Sequence, residues 1–184
     1  MDIVHLQLIS SMIEYFRGDA KRIQHFIKVY NFAAFLGRQE QIDEETLFIL
    51  ETAAIVHDIG IRICENKYGV CDGKHQELEG PAEAKKLLNK IGNYTYEQIE
   101  RVCWLVGHHH TYTHIYGIDY QLLVEADFLV NIYEDGFTDE MIGNVRNKIF
   151  KTLSGIRCLE KQCICNRLLL NILQVISQKY GLNL

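Results

Sequence analysis

Proline is almost absent from this sequence, since Pro81 is the only one among 184 residues. Low-complexity tracts and internal repeats are absent too, which argues against linker-like and repeat architectures. No run of about 18 uncharged apolar residues occurs, so we expect no membrane span. The N-terminal segment has no basic region and carries Asp2 and Glu14, so we expect no signal peptide and predict a cytoplasmic protein.

An excess of positive charge is also lacking, because 19 basic residues face 24 acidic ones and the formal net charge is −5. This balance argues against electrostatic binding of nucleic acid or anionic lipid, so we predict neither as a partner. A phosphorylated small molecule is still compatible with it, because a bound metal ion can invert the charge of a local site.

In contrast to proline, cysteine is well represented, with six residues. A chain of this size without an export signal does not need disulfides, so we predict reduced thiols. Three cysteines near the C-terminus could bind a structural metal, but their spacing matches no standard zinc pattern. The six are Cys64, Cys71, Cys103, Cys158, Cys163 and Cys165, of which the last three form that group.

Apolar residues recur at helical spacing through most of the chain, and strand-like alternation is weak, so we predict an all-α fold. The length suits a single domain. Asp19 is the expected N-cap of the first helix and Gly37 its C-terminal stop, while Pro81 is expected at the first position of a later helix. Predicted helices cover residues 19–36, 43–56, 81–92, 96–106, 119–132 and parts of 140–180, and residues 61–79 are the predicted long loop.

Ionisable residues lie inside three apolar segments, where their burial needs a physical reason. His57 and Asp58 directly follow the apolar run of residues 53–56, Asp127 lies within residues 122–130, and His25 lies within residues 23–27. An ionised aspartate in such a place loses hydration worth several kcal/mol unless a partner replaces it. A metal ion is one such partner, and an arginine or a set of backbone donors is another.

The order of these residues resembles the HD superfamily, which is named for its histidine–aspartate doublet. The resemblance covers roughly residues 20–135 and implies a single HD domain over residues 1–184, with a C-terminal helical extension over 140–184. The matching motifs are Arg22-Ile23-Gln24-His25, Ile55-Val56-His57-Asp58-Ile59-Gly60, Glu125-Ala126-Asp127-Phe128, and the flanking segments Gln76–Ala82 and Phe150–Gly155.

The resemblance implies that His25, His57, Asp58 and Asp127 bind a divalent cation. Such a mixed nitrogen and oxygen set suits Mn²⁺, Fe²⁺, Co²⁺, Ni²⁺, Zn²⁺ or Mg²⁺ without selecting one. The cation would polarise a phosphoryl group and activate a bound water, with Asp58 as the central catalytic ligand. Arg22 and Arg62, which flank these motifs, are candidates for holding phosphate, although each could equally pair with a carboxylate or face solvent.

Further histidines lie between the doublet and Asp127 and could form a second metal site. The number of metal ions is therefore open between one and two. In family members with two metals, the residue that matches Asp58 bridges the ions and adjacent histidines ligate from a helix end. We therefore add His109 and His110 to the predicted ligands, although the pairing within the run 108–110 is open. His75 joins the set as a further candidate, and an exposed loop histidine is the equal alternative.

The sequence therefore predicts a metal-dependent phosphohydrolase, either a phosphomonoesterase or a phosphodiesterase, that acts on a nucleotide or another small phosphate ester. One alternative is a di-iron oxygenase of the same superfamily, which would need His75 and at least one of His109 and His110 as iron ligands. The other is a module that binds a metal or nucleotide without turnover. Substrate, metal identity and oligomeric state stay open, including a homodimer.

Overall fold

The computed structural model of this protein describes residues 2–163 and is all-α, as the sequence predicts. Within this part of the chain, none of the helices combines the length with the hydropathy that a membrane-spanning helix needs. The backbone is also helical over residues 153–163, up to the end of the described part. The preceding helices are α1 (Ile3–Tyr15), α2 (Ala20–Gln39), α3 (Glu44–Val56), α4 (Ile61–Tyr68), α5 (Gly73–Ile91), α6 (Tyr96–Val106), α7 (Ile118–Glu134) and α8 (Asp139–Lys148).

Helix α3 is the centre of the fold, because it packs against α1, α2, α6 and α7. Its residues from Leu50 to Val56 are all buried, as expected for a helix that is apolar on every side. Asp43 caps its N-terminus by accepting a hydrogen bond from the backbone N–H of Thr46, which lies 2.9 Å away. The central helix therefore ends with its C-terminus, and the His57-Asp58 doublet, inside the protein.

Three local predictions are wrong. Residues 61–79 form α4 and the first part of α5 rather than a loop, because Asp72 caps α5 at its own N-terminus. Pro81 lies inside α5 and not at its start. Helix α2 continues past Gly37, where a Cβ atom would approach Leu47 Cδ1 to 2.7 Å, so this glycine serves close helix packing. Helix α1 was not predicted. The predicted metal-binding group of three cysteines includes Cys165, which lies outside the described residues.

The first flanking segment of the family motif packs directly on the turn that carries the doublet. A Cβ atom at Gly60 would lie 2.9 Å from both the backbone oxygen of Gln76 and the backbone nitrogen of Gly80. A Cβ atom at Gly80 would in turn lie 2.7 Å from Val106, at the end of α6. Close backbone contact therefore joins α5 to the turn after α3, and the missing side chain of Gly80 makes room for the Val106 side chain at the end of α6.

The second flanking segment wraps around a buried carboxylate of α7. Glu125 is fully buried and accepts hydrogen bonds from the backbone N–H groups of Lys151 and Thr152, at 2.6 and 2.9 Å. The Thr152 hydroxyl and the Gln121 amide also donate to it. Because Glu125 lies two residues before Asp127, these bonds fix the part of α7 that faces the doublet.

A partly buried ion-pair network joins α1, α2 and α3 at the middle of α3. Glu51 is 4% exposed, and its two carboxylate oxygens lie 2.7 Å from Arg38 Nη1 and 3.0 Å from His5 Nδ1. Burial works against the ionised form, but the contacts with His5 and Arg38 hold the pKa of Glu51 below its ordinary value. The ionised form of Glu51 therefore stabilises the folded state.

We expect Glu51→Gln to lower the free energy of unfolding by about 2 kcal/mol at pH 7, because buried His5 loses its carboxylate, whereas solvent screens the loss at Arg38, whose side chain is 55% exposed. The pKa of Glu51 is lower in the folded than in the unfolded state, so its contribution is present above the unfolded value, about 4.3. The contribution is lost as pH falls through the folded value. Urea unfolding of both proteins between pH 7 and 3 measures this difference, with the exposed pair Glu14 and Arg17 as control through Glu14→Gln. A difference that stays constant down to pH 3 would contradict the prediction.

Candidate metal centre

Four of the predicted ligands meet in the interior from three parts of the chain. His25 comes from α2, His57 and Asp58 follow α3, and Asp127 comes from α7. Nε2 of His25 lies 3.2 Å from Asp127 Oδ1, 3.5 Å from Asp58 Oδ2 and 3.2 Å from His57 Nε2. Donor atoms about 2.1 Å from a common ion are about 3.0–3.4 Å from one another, so this spacing suits a cation between them.

A second group of donor atoms shares Asp58 with the first. His25, His57 and Asp58 form one group that could hold a metal ion, and Asp58, His109 and His110 form the other. Asp58 Oδ2 faces His25 and His57, each at 3.5 Å, whereas Asp58 Oδ1 lies 3.6 Å from His109 Nε2. The two oxygens of one carboxylate are thus directed to two adjacent sets of imidazoles.

The local folding of the chain directs two imidazole nitrogens toward the centre. His57 and His109 follow the last residues of α3 and α6, where carbonyl groups have no partner within the helix. Nδ1 of His57 donates to Ala54 O at 2.8 Å, and Nδ1 of His109 donates to Val106 O at 2.7 Å. Since a carbonyl can only accept, Nδ1 carries the proton and Nε2 presents its lone pair to the centre.

The environment of His109 Nε2 favours a bound cation. This atom is buried and has no hydrogen-bond partner among the described residues, and it faces a carboxylate oxygen at 3.6 Å. A lone pair opposite a carboxylate oxygen is unfavourable unless a proton or a metal ion lies between them. The donor set and this unpartnered nitrogen together fit a divalent cation.

The pKa values describe ionised carboxylates in contact with buried imidazoles. Burial opposes ionisation of Asp58, but the neighbouring imidazoles of His57, His109 and His25 hold its pKa far below the ordinary value. Burial also opposes protonation of His25, yet Asp127 and Asp58 raise the pKa of His25 to about 9. Burial lowers the pKa of His57, which keeps that ring neutral. Two ionised carboxylates therefore stand beside the neutral ring of His57 and a protonated His25, whose proton on Nε2 a cation would replace on binding.

Of the other candidate histidines, His110 lies in the site, whereas His108 and His75 do not. His110 belongs to the second group, and its ring nitrogens also lie 3.2 Å from Gln76 Oε1 and 3.3 Å from the Tyr112 hydroxyl. Burial and the neighbouring His109 lower the pKa of His110 to about 4. His108 points elsewhere, stacking on Trp104 with ring centroids 4.1 Å apart. His75 is in neither group, because its Nδ1 lies 2.8 Å from Asp72 Oδ1 and its ring packs on Tyr68.

The two predicted phosphate ligands are already engaged by protein groups. Arg22 lines the cavity over the centre, but its guanidinium pairs with Glu65 at 2.5 Å and with Asp19 at 2.8 Å. Arg62 does not line that cavity, and it donates to the backbone oxygen of Tyr15. The structure therefore brings Arg22 to the rim of the site and leaves Arg62 outside it.

The centre opens into a cavity of about 470 Å³. Lys21 at its rim is exposed and forms no ion pair among the described residues. A volume of this size suits a small molecule rather than a polymer. The cavity is lined by Lys21, Arg22, His25, Asp58, Ile61, Cys71, Gln76, His110, Asp127, Asn131, Glu134 and Asp135.

Two residues of α7 at this site were missed by the sequence analysis. Asn131 donates to Asp127 Oδ1 at 2.9 Å, and Glu134 Oε2 lies 2.9 Å from His25 Nδ1. Both follow Asp127 at helical spacing, four and seven residues later, which places the three side chains on one face of the helix. That spacing of polar residues on an otherwise apolar helix was the available signal.

Comparison with known proteins gives two matches. The family model described as HD domain matches residues 22–141 of the chain. The chain is also similar to a crystal structure described as a predicted HD superfamily hydrolase from an uncultured Thermotogales bacterium. The two share 22% sequence identity with a TM-score of 0.65, over 98% of this chain and 100% of that chain. At this identity the similarity establishes a common fold. No curated protein matches.

Proposed function

The chain belongs to the HD domain family, and from this premise we propose that it is a metal-dependent phosphohydrolase acting on a nucleotide or another small phosphate ester. HD domain proteins are generally metal-dependent hydrolases. The observation that carries the proposal is the position of Asp58, whose two oxygens face two groups of metal-binding side chains. Phosphoryl transfer depends mainly on positioning and charge neutralisation, which such a centre provides.

His25, His57, Asp58 and Asp127 would hold one divalent cation, and His109 and His110 would hold a second one together with Asp58. A bound cation would polarise a phosphoryl oxygen and lower the pKa of a coordinated water. The nitrogen and oxygen donors fit Mn²⁺, Fe²⁺, Co²⁺, Ni²⁺, Zn²⁺ or Mg²⁺, and no soft ligand selects among them.

The protein's own side chains would bind the substrate at the rim of the cavity. Lys21 is the cation best suited to contact a phosphate group, because it lines the cavity and has no ion-pair partner in the described part of the chain. Arg22 could contribute only by exchanging a carboxylate partner for phosphate, since Glu65 and Asp19 already hold its guanidinium. Arg62 has no role in this proposal.

The oxygenase alternative is not supported by a specific observation. It requires His75 as an iron ligand, and His75 contacts Asp72 and Tyr68 instead of Asp58. The alternative of binding without turnover is tested by the same experiment as the proposal itself.

The test combines metal analysis of the purified protein with a phosphate-release screen across mononucleotides, dinucleotides and simple phosphate esters. We expect two ions per chain and metal-dependent release of phosphate from at least one compound class. Metal binding without any product after long incubation would contradict hydrolysis and favour a binding module. A His57→Ala variant that loses its metal but keeps its activity would contradict the role of the centre.

Two neighbouring histidines provide a matched pair of variants within this experiment. We expect His109→Ala to reduce the metal content from two ions to one, because Nε2 of His109 faces Asp58 Oδ1. We expect His108→Ala to retain both ions, because its ring stacks on Trp104 and its Nδ1 bonds to the backbone oxygen of the same residue. Equal metal contents for the two variants would refute the second site.

A further inference from the structure

We infer that Glu134 is a positioning residue of the metal centre, which holds His25 with its Nε2 atom directed at Asp58 and Asp127. The inference rests on the proposed function, because it concerns a ligand of the same site. Its basis is the contact between Glu134 Oε2 and His25 Nδ1, at 2.9 Å. The two residues come from α7 and α2, so the contact joins two helices.

His25 needs such a partner because of its place in the fold. His57 and His109 follow helix ends and use the unpaired carbonyls of Ala54 and Val106 to fix their rings. His25 lies within α2, where the backbone carbonyls are already paired in the helix. Its Nδ1 therefore has no local acceptor, and an acceptor must come from another element.

Glu134 offers an acceptor oxygen at the reach and in the direction that this task requires. A carboxylate can only accept, so Nδ1 of His25 carries the proton and Nε2 is left for a cation. Metal-binding histidines commonly donate their other N–H group to a carboxylate or a carbonyl oxygen, which fixes the orientation of the ring. Lys28, one turn after His25 on α2, pairs with the other oxygen of Glu134.

The contact belongs to a larger arrangement on one face of α7. Asp127, Asn131 and Glu134 follow each other at intervals of four and three residues, and Asn131 donates to Asp127 Oδ1 at 2.9 Å. The same helix face thus supplies one proposed ligand and orients another. Glu134 is only partly buried, and the cavity reaches it.

Two conservative variants of Glu134 distinguish the effect of side-chain length from the effect of charge. Glu134→Asp keeps the carboxylate but withdraws it from His25 by one methylene group, whereas Glu134→Gln keeps an acceptor oxygen at full reach and loses the charge. Asp135→Asn removes a charge from the same cavity at the next residue, whose exposed side chain is not in contact with His25 among the described residues. All three changes are small, and thermal melting verifies that each protein is folded.

The measurement is the affinity of the full chain for Mn²⁺ and Zn²⁺ by isothermal titration calorimetry. We expect Glu134→Asp to weaken metal binding by about 10-fold to 100-fold, Glu134→Gln by less than about threefold, and Asp135→Asn to match the wild type. Unchanged affinity in Glu134→Asp, even with a lowered melting temperature, would show that the contact only joins two helices and would overturn the inference. Equal losses in Glu134→Asp and Glu134→Gln would overturn it as well, since charge or direct ligation would then explain the effect. No substrate is needed, so failure to find a hydrolysed ester leaves this result unaffected.

Discussion

Replacing Asp58 with asparagine is expected to lower the rate of phosphate release by at least about 10³-fold and to remove bound metal. Asp58 alone among the site residues belongs to both groups of donor atoms. Asparagine has the same shape but offers one neutral oxygen, and its amide group would repel a cation on the other side. Polarisation by a metal ion stabilises a transition state by several kcal/mol, and about 1.4 kcal/mol corresponds to tenfold in rate.

The comparison for this variant is Asp139→Asn, an exposed aspartate in the first turn of α8 that does not line the cavity over the centre. Phosphate release and metal content are measured for both proteins after circular dichroism has verified their helix content. We expect Asp139→Asn to match the wild type in both assays. Retention of two ions and of full activity in Asp58→Asn would show that the centre does not depend on a bridging carboxylate.

Replacing Gly155 with alanine is expected to destabilise the protein by about 3–5 kcal/mol, which at this chain length lowers the melting temperature by roughly 10 °C. A Cβ atom at this position would lie 2.0 Å from Glu125 Oε2 and 2.9 Å from Thr152 Oγ1. The carboxylate would have to move, and it would then lose hydrogen bonds from backbone donors that are buried with it. Helix propensity alone favours alanine by up to about 1 kcal/mol, so the two effects have opposite signs.

Gly143 provides the control, because it also lies in a helix but a Cβ atom there would meet nothing within 4 Å. We expect Gly143→Ala to leave the stability unchanged or to raise it by up to about 1 kcal/mol. Differential scanning calorimetry of the three proteins measures both effects. A stable Gly155→Ala variant would indicate that the carboxylate of Glu125 is not held tightly by residues 151–155.

The parts of the fold that the sequence predicted well are the strongly apolar helices. The boundaries of α3, α6 and α7 agree with the prediction to within about two residues, because apolar periodicity and capping residues coincide there. The prediction failed for residues 61–79, where α4 and α5 expose much of their surface and carry few apolar residues. In the structure α4 packs against α5, and α5 packs against Gly60 and Val106, contacts that the sequence pattern of residues 61–79 does not reveal.

The types of donor atoms and the apolar segments that would bury them could be read from the sequence alone, because burying a charged group requires a partner in any fold. The sequence could not determine which histidines join the site. His75 and His108 have the same chemistry as His109, but the direction of each side chain depends on its position in a turn of helix. Tertiary structure directs His109 toward Asp58, His108 toward Trp104 and His75 toward Asp72. It also brings Glu134 to His25 across 109 residues of sequence, because α2 and α7 pack side by side.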